Sequence, residues 1–392
     1  MERIGIYGGT FNPPHLGHMQ AAAQAVSLLK LDRLLLIPDH VAPHKQLPEG
    51  SANPMERLEM VKISSKGIPG VTVSDMELQR QGPSYTYLTI LELKEQYPDS
   101  KLILIMGTDM FLSFLRWKNP QIITAHASLA VLYRGERGER EAVEEQKRRM
   151  EEMGVEVFLI ENQVKAISST QLRRLLAFGC GGSFASPELL EYIRQHGLYD
   201  TKSDFRNLPM EKLEKVVVRL LDPKRVPHVL GCRDTAVELA RRWGADETDA
   251  ARAGILHDIT KALDGPLQLT LCEEYGTILD DFSRRYPKTL HALTGSLVAQ
   301  RIFGENENVV EAIRWHTTGR ADMSLLEKII YVADYMEPNR TLPYVDQLRH
   351  LAFADLDGAV KLGLEMTLDH LANQGAEVSP ASKEALEFLQ NQ

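Results

Sequence analysis

The sequence predicts two domains of different class: an α/β domain on a mainly parallel, Rossmann-like sheet over residues 1–200, and an all-α domain over residues 210–392. Three observations carry this expectation. Short β-rich runs alternate with longer amphipathic segments in the first half, strand signals stop after it, and residues 201–209 between the two are polar and aperiodic, as a linker would be. A chain of 392 residues is also too long for one ordinary core.

In order along the chain, strands are expected at Arg3–Tyr7, Arg33–Ile37, Val71–Ser74, Lys101–Met106, Ser128–Tyr133 and Val155–Ile160, with helices between them. Right-handed βαβ units of this kind bind ligands beyond the carboxyl ends of their strands, so motifs at strand ends carry most weight. The charged stretch Glu136–Glu152 reads as a solvated surface helix. In the second half, Val226, Leu230, Ala236, Val237 and Ala240, and then Leu325, Ile329, Ile330 and Ala333, keep helical period.

A formal charge of -9 argues against general affinity for nucleic acid or an anionic membrane, since either needs clustered Lys and Arg. The three cysteines, Cys180, Cys232 and Cys272, have no short spacing for a staple or a thiolate zinc site. With strand-like text from Arg3, no secretion signal and no apolar run of membrane-spanning length, a cytoplasmic location is expected. Polyanionic small substrates remain open through local sites, as does homo-oligomerisation.

Strand Arg3–Tyr7 leads into Gly8-Gly9-Thr10-Phe11-Asn12-Pro13-Pro14-His15-Leu16-Gly17-His18, with a helix expected to start near His18. Adjacent glycines, a stiffened turn and a helix N-terminus suggest a phosphate cradle into which His15 and His18 point. A second fragment, Ile167-Ser168-Ser169-Thr170-Gln171-Leu172-Arg173, sits at another loop-to-helix junction, where hydroxyls cap the helix and Arg173 follows one turn later. The two together closely resemble the signature of the nucleotidyltransferase superfamily, and within it are similar to bacterial nicotinate-mononucleotide adenylyltransferases.

That resemblance implies transfer of AMP from ATP to nicotinate mononucleotide with magnesium, giving nicotinate adenine dinucleotide and pyrophosphate. It implies that Gly8, Gly9, Thr10, Phe11, Gly107, Asp109, Ser168, Ser169 and Thr170 face the nucleotides, and that Thr86 and Trp117 hold the pyridine ring. His15 and His18 would stabilise the transferred phosphate, with Lys45, Arg173 and Arg134 on the phosphate side. Lys118 stands where some family members carry a second aromatic residue.

The helical half contains His228, His257-Asp258, His291, His316 and Asp334 in otherwise apolar text, where unpaired polar groups would be costly. This ordered series resembles the HD superfamily of metal-dependent phosphohydrolases. The strings Ala253-Gly254-Ile255-Leu256-His257-Asp258-Ile259-Thr260-Lys261, Ile313–Gly319 and Ala333–Arg340 are similar to bacterial HD hydrolases that split diadenosine tetraphosphate symmetrically into two ADP. The resemblance implies two iron or manganese ions. His228, His257, Asp258 and Asp334 would hold one, His291 and His316 the other with Asp258 bridging, and Lys261 and Arg340 would meet the polyphosphate of a dinucleoside substrate. Another nucleotide, such as an alarmone or cyclic dinucleotide, and a non-catalytic nucleotide-sensing role stay open for this half.

Overall fold

The computed structural model of the protein describes all residues except 43–45, 134–137, 163–166, 342 and 392. The chain divides into two compact units, Met1–Ser203 and Asp204–Gln392.

The first unit contains strands β1 (Arg3–Gly9), β2 (Arg33–Pro38), β3 (Val71–Val73), β4 (Lys101–Gly107), β5 (Ala127–Tyr133) and β6 (Val157–Glu161). They form one 6-stranded sheet in the order β3-β2-β1-β4-β5-β6. Every neighbouring pair is parallel. Each expected strand is present, with ends displaced by a residue or two, the usual uncertainty of boundaries.

Both faces of the sheet are buried, which is why its strands read as continuous apolar runs. Ile4, Ile6, Leu102, Leu104, Leu129 and Val131 belong to the core on one face. Leu34, Leu36, Ile103, Ile105, Ala130 and Leu132 belong to the core on the other. The sheet order reverses between β1 and β4, so the chain leaves these two strands in opposite directions and opens a crevice beyond their carboxyl ends. β1 ends there at Gly9 and β4 at Gly107.

Helices are the only regular elements of the second unit among its described residues. Helices Val226–Trp243, Glu247–Leu256, Leu290–Val298, Glu307–Trp315 and Leu325–Met336 pack against one another. Their apolar faces bury Val229, Ala236, Ile255, Leu256, Ile313, Ile329 and Ile330. No helix among the described residues is long and apolar enough to cross a membrane.

Candidate active sites

The first motif differs from the expected glycine cradle in its backbone. Gly8 and Gly9 are strand residues, in register with Ile37 and Pro38, and the left-handed position is Phe11 at φ 48. Gly9 gives room to the buried Phe11 ring, which would have to shift by a few tenths of an ångström for a Cβ placed 3.2 Å from it. The helix starts near His18 as expected: it spans Leu16–Leu28, with His15 as its N-cap and His18 in its first turn.

The two histidines form a reciprocal cap, each Nδ1 accepting the other's backbone N–H, at 3.3 Å for His18 N to His15 and 3.2 Å for His15 N to His18. This is the capping-box arrangement built from imidazoles. An Nδ1 that accepts leaves the proton of a neutral ring on Nε2, so each ring offers an N–H donor. The rings lie 3.6 Å apart between centroids. Burial, helped by the neighbouring ring, lowers the His15 pKa to about 2, and burial lowers that of His18 to about 4. Both are therefore neutral donors at neutral pH in the free protein.

A cavity of ≈ 450 Å³ beyond β1 and β4 is lined by Tyr7, His15, His18, Gly107, Asp109 and Ser168, among others. The two motifs and the end of β4 thus meet at one opening. Ser168 caps the Ser169–Ala177 helix by accepting from Gln171 N, and the Ser169 hydroxyl donates to the Pro13 carbonyl at 2.9 Å. Arg173 donates to the Asn12 carbonyl at 2.6 Å and to Thr170 Oγ1 at 3.1 Å, bracing one motif against the other. Tyr199 completes the brace by donating to Asn12 Oδ1 at 2.7 Å.

Thr86 opens the Thr86–Gln96 helix, and Trp117 packs on Phe114 after a short 3-10 turn. The Lys118 ammonium lies 4.3 Å from the Tyr85 ring centroid, so the lysine brings the segments of Thr86 and Trp117 together by a cation–π contact. Neither Thr86 nor Trp117 lines the His15–His18 cavity. Lys45 and Arg134 lie outside the described residues.

The sequence reading missed Arg57, which is fully buried in the Pro54–Ser65 helix. It donates to the Thr10 carbonyl at 2.7 Å, to Asp39 Oδ1 at 2.8 Å and to the Asp39 carbonyl at 2.7 Å. Thr10 Oγ1 donates to the other Asp39 oxygen at 2.7 Å, so the first motif is fastened to the end of β2. Arg57→Ala leaves a buried carboxylate unpaired and is expected to cost about 3–5 kcal/mol, read from urea unfolding. A loss below 1 kcal/mol would mean that the network is not closed in solution.

In the second unit, His228, His257, His291 and His316 have a common design. Their Nδ1 atoms face Glu337 Oε1 at 3.1 Å, the Gly254 carbonyl at 2.7 Å, the Lys288 carbonyl at 2.9 Å and the Ile313 carbonyl at 2.6 Å. Each acceptor fixes the proton on Nδ1 and leaves the Nε2 lone pair for a ligand. The Nε2 atoms of His228 and His257 lie 3.2 Å apart, and Asp334 Oδ1 is 3.1 Å from the first. Ligand atoms of His228, His257 and Asp334 all lie within 4.8 Å of one another, as do those of His257, Asp258 and His316.

Asp258 lies between these groups. Its Oδ2 is 3.7 Å from His228 Nε2 and 3.4 Å from His257 Nε2, and its Oδ1 is 3.5 Å from His291 Nε2 and 3.8 Å from His316 Nε2. Oδ1 is buried and has no hydrogen-bond partner among the described residues, which is costly for a carboxylate unless a cation meets it. Burial raises its pKa, but His257, His316 and His291 outweigh burial and hold it well below the usual carboxylate range. The convergent donors are nitrogen and oxygen, a set that fits a divalent metal ion and not a thiolate zinc site.

Cations of the chain crowd the same region. Arg225 pairs with Asp258, Arg340 donates to the Asp334 carboxylate, and Lys261 Nζ lies 3.0 Å from His291 Nε2. Glu337, buried beneath His228, also accepts from the N and Nδ2 of Asn339 at 2.8 Å each. Its signal was the Asp334-Tyr335-Met336-Glu337 spacing, which places it about one turn after a ligand. Glu337→Ala is expected to weaken metal affinity about 10–100-fold, measured by chelator competition. Unchanged affinity would remove Glu337 from the role of orienting His228.

A cytidylyltransferase-like α/β domain followed by a helical HD domain is the class that fold and sites define. Family models agree: Cytidylyltransferase-like matches residues 6–175 and HD domain matches residues 225–339. The "Probable nicotinate-nucleotide adenylyltransferase" of Aeromonas salmonicida (strain A449) is 36% identical over 208 residues, spanning 50% of this chain and 96% of the relative. That of Desulfatibacillum aliphaticivorans is 35% identical over 217 residues, spanning 50% of this chain and 99% of the relative. A crystal structure of a "predicted HD superfamily hydrolase involved in NAD metabolism" from Clostridium acetobutylicum shares 38% identity, covers 47% of this chain and 98% of its own, and gives a TM-score of 0.46. The N-terminal half of this chain belongs to the nicotinate-nucleotide adenylyltransferase family, and the C-terminal half carries an HD domain.

Proposed function

We propose that the chain is a bifunctional cytoplasmic enzyme. Its first half transfers AMP from ATP to nicotinate mononucleotide, and its second half hydrolyses diadenosine tetraphosphate symmetrically to two ADP. For the first half the reading rests on family membership and on the reciprocal His15–His18 cap at the mouth of the β1–β4 crevice. The acceptor's 5′-phosphate is already a nucleophile and attacks the α-phosphorus of ATP in line, so the protein has to position and stabilise charge.

The Nε2–H donors of His15 and His18 would meet the transferred phosphate, with the Ser168-capped helix start and Arg173 on the pyrophosphate side. Magnesium, when bound with ATP, would offset charge on the phosphate oxygens. Formation of nicotinate adenine dinucleotide and pyrophosphate from the two substrates tests this. Faster use of nicotinamide mononucleotide would reverse the assigned substrate preference.

For the second half, the reading is carried by the unpartnered Asp258 oxygen held between two histidine pairs. His228, His257, Asp258 and Asp334 would hold one divalent cation, and His291, His316 and Asp258 a second. Two iron or manganese ions, when bound, supply Lewis-acid stabilisation of a phosphate and lower the pKa of water. The protein's own part is to fix the imidazole tautomers, keep Asp258 ionised, and offer Lys261 and Arg340 to the polyphosphate. Hydrolysis of an alarmone or a cyclic dinucleotide, or a non-catalytic nucleotide-sensing role, would instead leave diadenosine tetraphosphate uncut.

A further inference from the structure

The last turn of the first unit has a backbone that its residue types disfavour. Tyr199 adopts φ 55 and ψ 41 within the short Leu198–Asp200 turn, and Asp200 follows at φ 65. Both carry a Cβ that the left-handed region crowds, and for a bulky side chain such as tyrosine the conformation is rare. Strain of this kind persists only where the surroundings hold it, and it gathers at functional sites. Here Thr201 N and Oγ1 donate to the Leu198 carbonyl at 3.2 and 2.9 Å, and Ser203 N donates to the Asp200 carbonyl at 3.0 Å. Lys202 Nζ donates to the Gln195 carbonyl at 2.8 Å.

The turn so held delivers one phenol into the interior. Tyr199 is 4% exposed, and its hydroxyl donates to Asn12 Oδ1 at 2.7 Å. Asn12, itself 3% exposed, lies in the loop that joins β1 to the helix capped by His15. Its Nδ2 donates to Ser51 Oγ at 2.9 Å, and Ser51 Oγ donates onward to the Pro48 carbonyl at 2.7 Å. Its carbonyl accepts from Arg173 at 2.6 Å, and the next carbonyl, of Pro13, accepts from Ser169 at 2.9 Å. Side chains from three separate segments thus fix Asn12 and Pro13 just before His15. Burial raises the Tyr199 pKa, so the phenol stays a donor through the neutral range.

We infer that Tyr199 is a positioning residue for adenylyl transfer: through Asn12 it sets the loop that places the His15–His18 donor pair against the transferred phosphate. The inference rests on the adenylyltransferase reading of the first half. Neither Tyr199 nor Asn12 lines the cavity that His15 and His18 face, so the phenol acts on the reaction only by way of the loop. Donors that stabilise charge developing in a transition state work by being held in place beforehand. A loosened loop therefore slows the transfer step more than it weakens the binding of either substrate.

Two measurements on the full chain test it. Tyr199→Phe removes the hydroxyl and keeps the ring, so the turn still packs. In steady-state transfer from ATP to nicotinate mononucleotide, it is expected to lose about tenfold in kcat, the effect of one buried neutral hydrogen bond, with both KM values within about twofold of wild type. Asn12→Ala should lose at least as much, and the double variant no more than Asn12→Ala alone. An unchanged kcat, a loss confined to KM, or additive losses in the double variant would overturn the inference. The second measurement is NMR of protein carrying isotope-labelled histidine, with the His15 and His18 signals assigned from His15→Gln and His18→Gln. Tyr199→Phe is expected to shift the ring-nitrogen signals of both while leaving the other histidines in place. Unmoved His15 and His18 signals would make Tyr199 a structural residue only and refute the positioning role. If the wild type forms no dinucleotide, the adenylyltransferase reading fails, while the NMR comparison still decides whether Tyr199 positions the pair.

Discussion

Asp258→Ala is expected to abolish phosphohydrolysis by the second half, with a loss well beyond the roughly 10–100-fold typical of outer-shell partners. The carboxylate is the only one within 4 Å of Nε2 on all four histidines among the described residues. Both proposed metals depend on it. The variant should retain less metal than wild type after dialysis, by elemental analysis, while its rate of dinucleotide synthesis from ATP and nicotinate mononucleotide stays unchanged. Hydrolysis within tenfold of wild type would remove Asp258 from its bridging role. Asp258→Asn is the companion variant, since it keeps the shape, removes the charge and should lose metal equally.

His18→Ala should have the mirror effect, lowering adenylyl transfer about 10²–10³-fold, the cost of one preorganised donor to a developing phosphate charge, and sparing the hydrolase. The effect has two sources. The variant removes one Nε2–H donor and also the Nδ1 that accepts His15 N, so His15 loses half of its reciprocal cap. Because burial holds the two pKa values near 2 and 4, neither ring gains a proton between pH 6 and 9 in the free protein. The wild-type kcat/KM should accordingly show no histidine titration over that interval. A fall with a midpoint near 6.5 would mean that a protonated imidazole is required and would contradict the neutral-donor account.

The α/β sheet was legible because a parallel sheet buried on both faces writes each strand as an apolar run, as in Leu34-Leu35-Leu36-Ile37. The paired histidines were also legible, but the device around them was not. Gly8 and Gly9 suggested a phosphate cradle in the turn after the strand, whereas they continue β1 and the loop's left-handed turn falls on Phe11. Only tertiary packing, the Phe11 ring against Gly9, distinguishes these cases. In the helical half, residue type and order named the histidines and aspartates that the fold brings together. Glu337 lies within the Ala333–Arg340 string, but its use depends on where His228 directs Nδ1, which one-dimensional spacing does not encode. Arg57 escaped for a related reason: a charged residue in an amphipathic helix reads as solvated, and its burial follows from partners in two other segments.

The measurement that bears most directly on the two-enzyme account is product analysis of diadenosine tetraphosphate after incubation with the anaerobic, iron- or manganese-loaded full chain, separated by ion exchange. The account predicts ADP as the sole nucleotide product, absent from Asp258→Ala and undiminished in His18→Ala. AMP with ATP, or no turnover by metal-loaded protein, would contradict it.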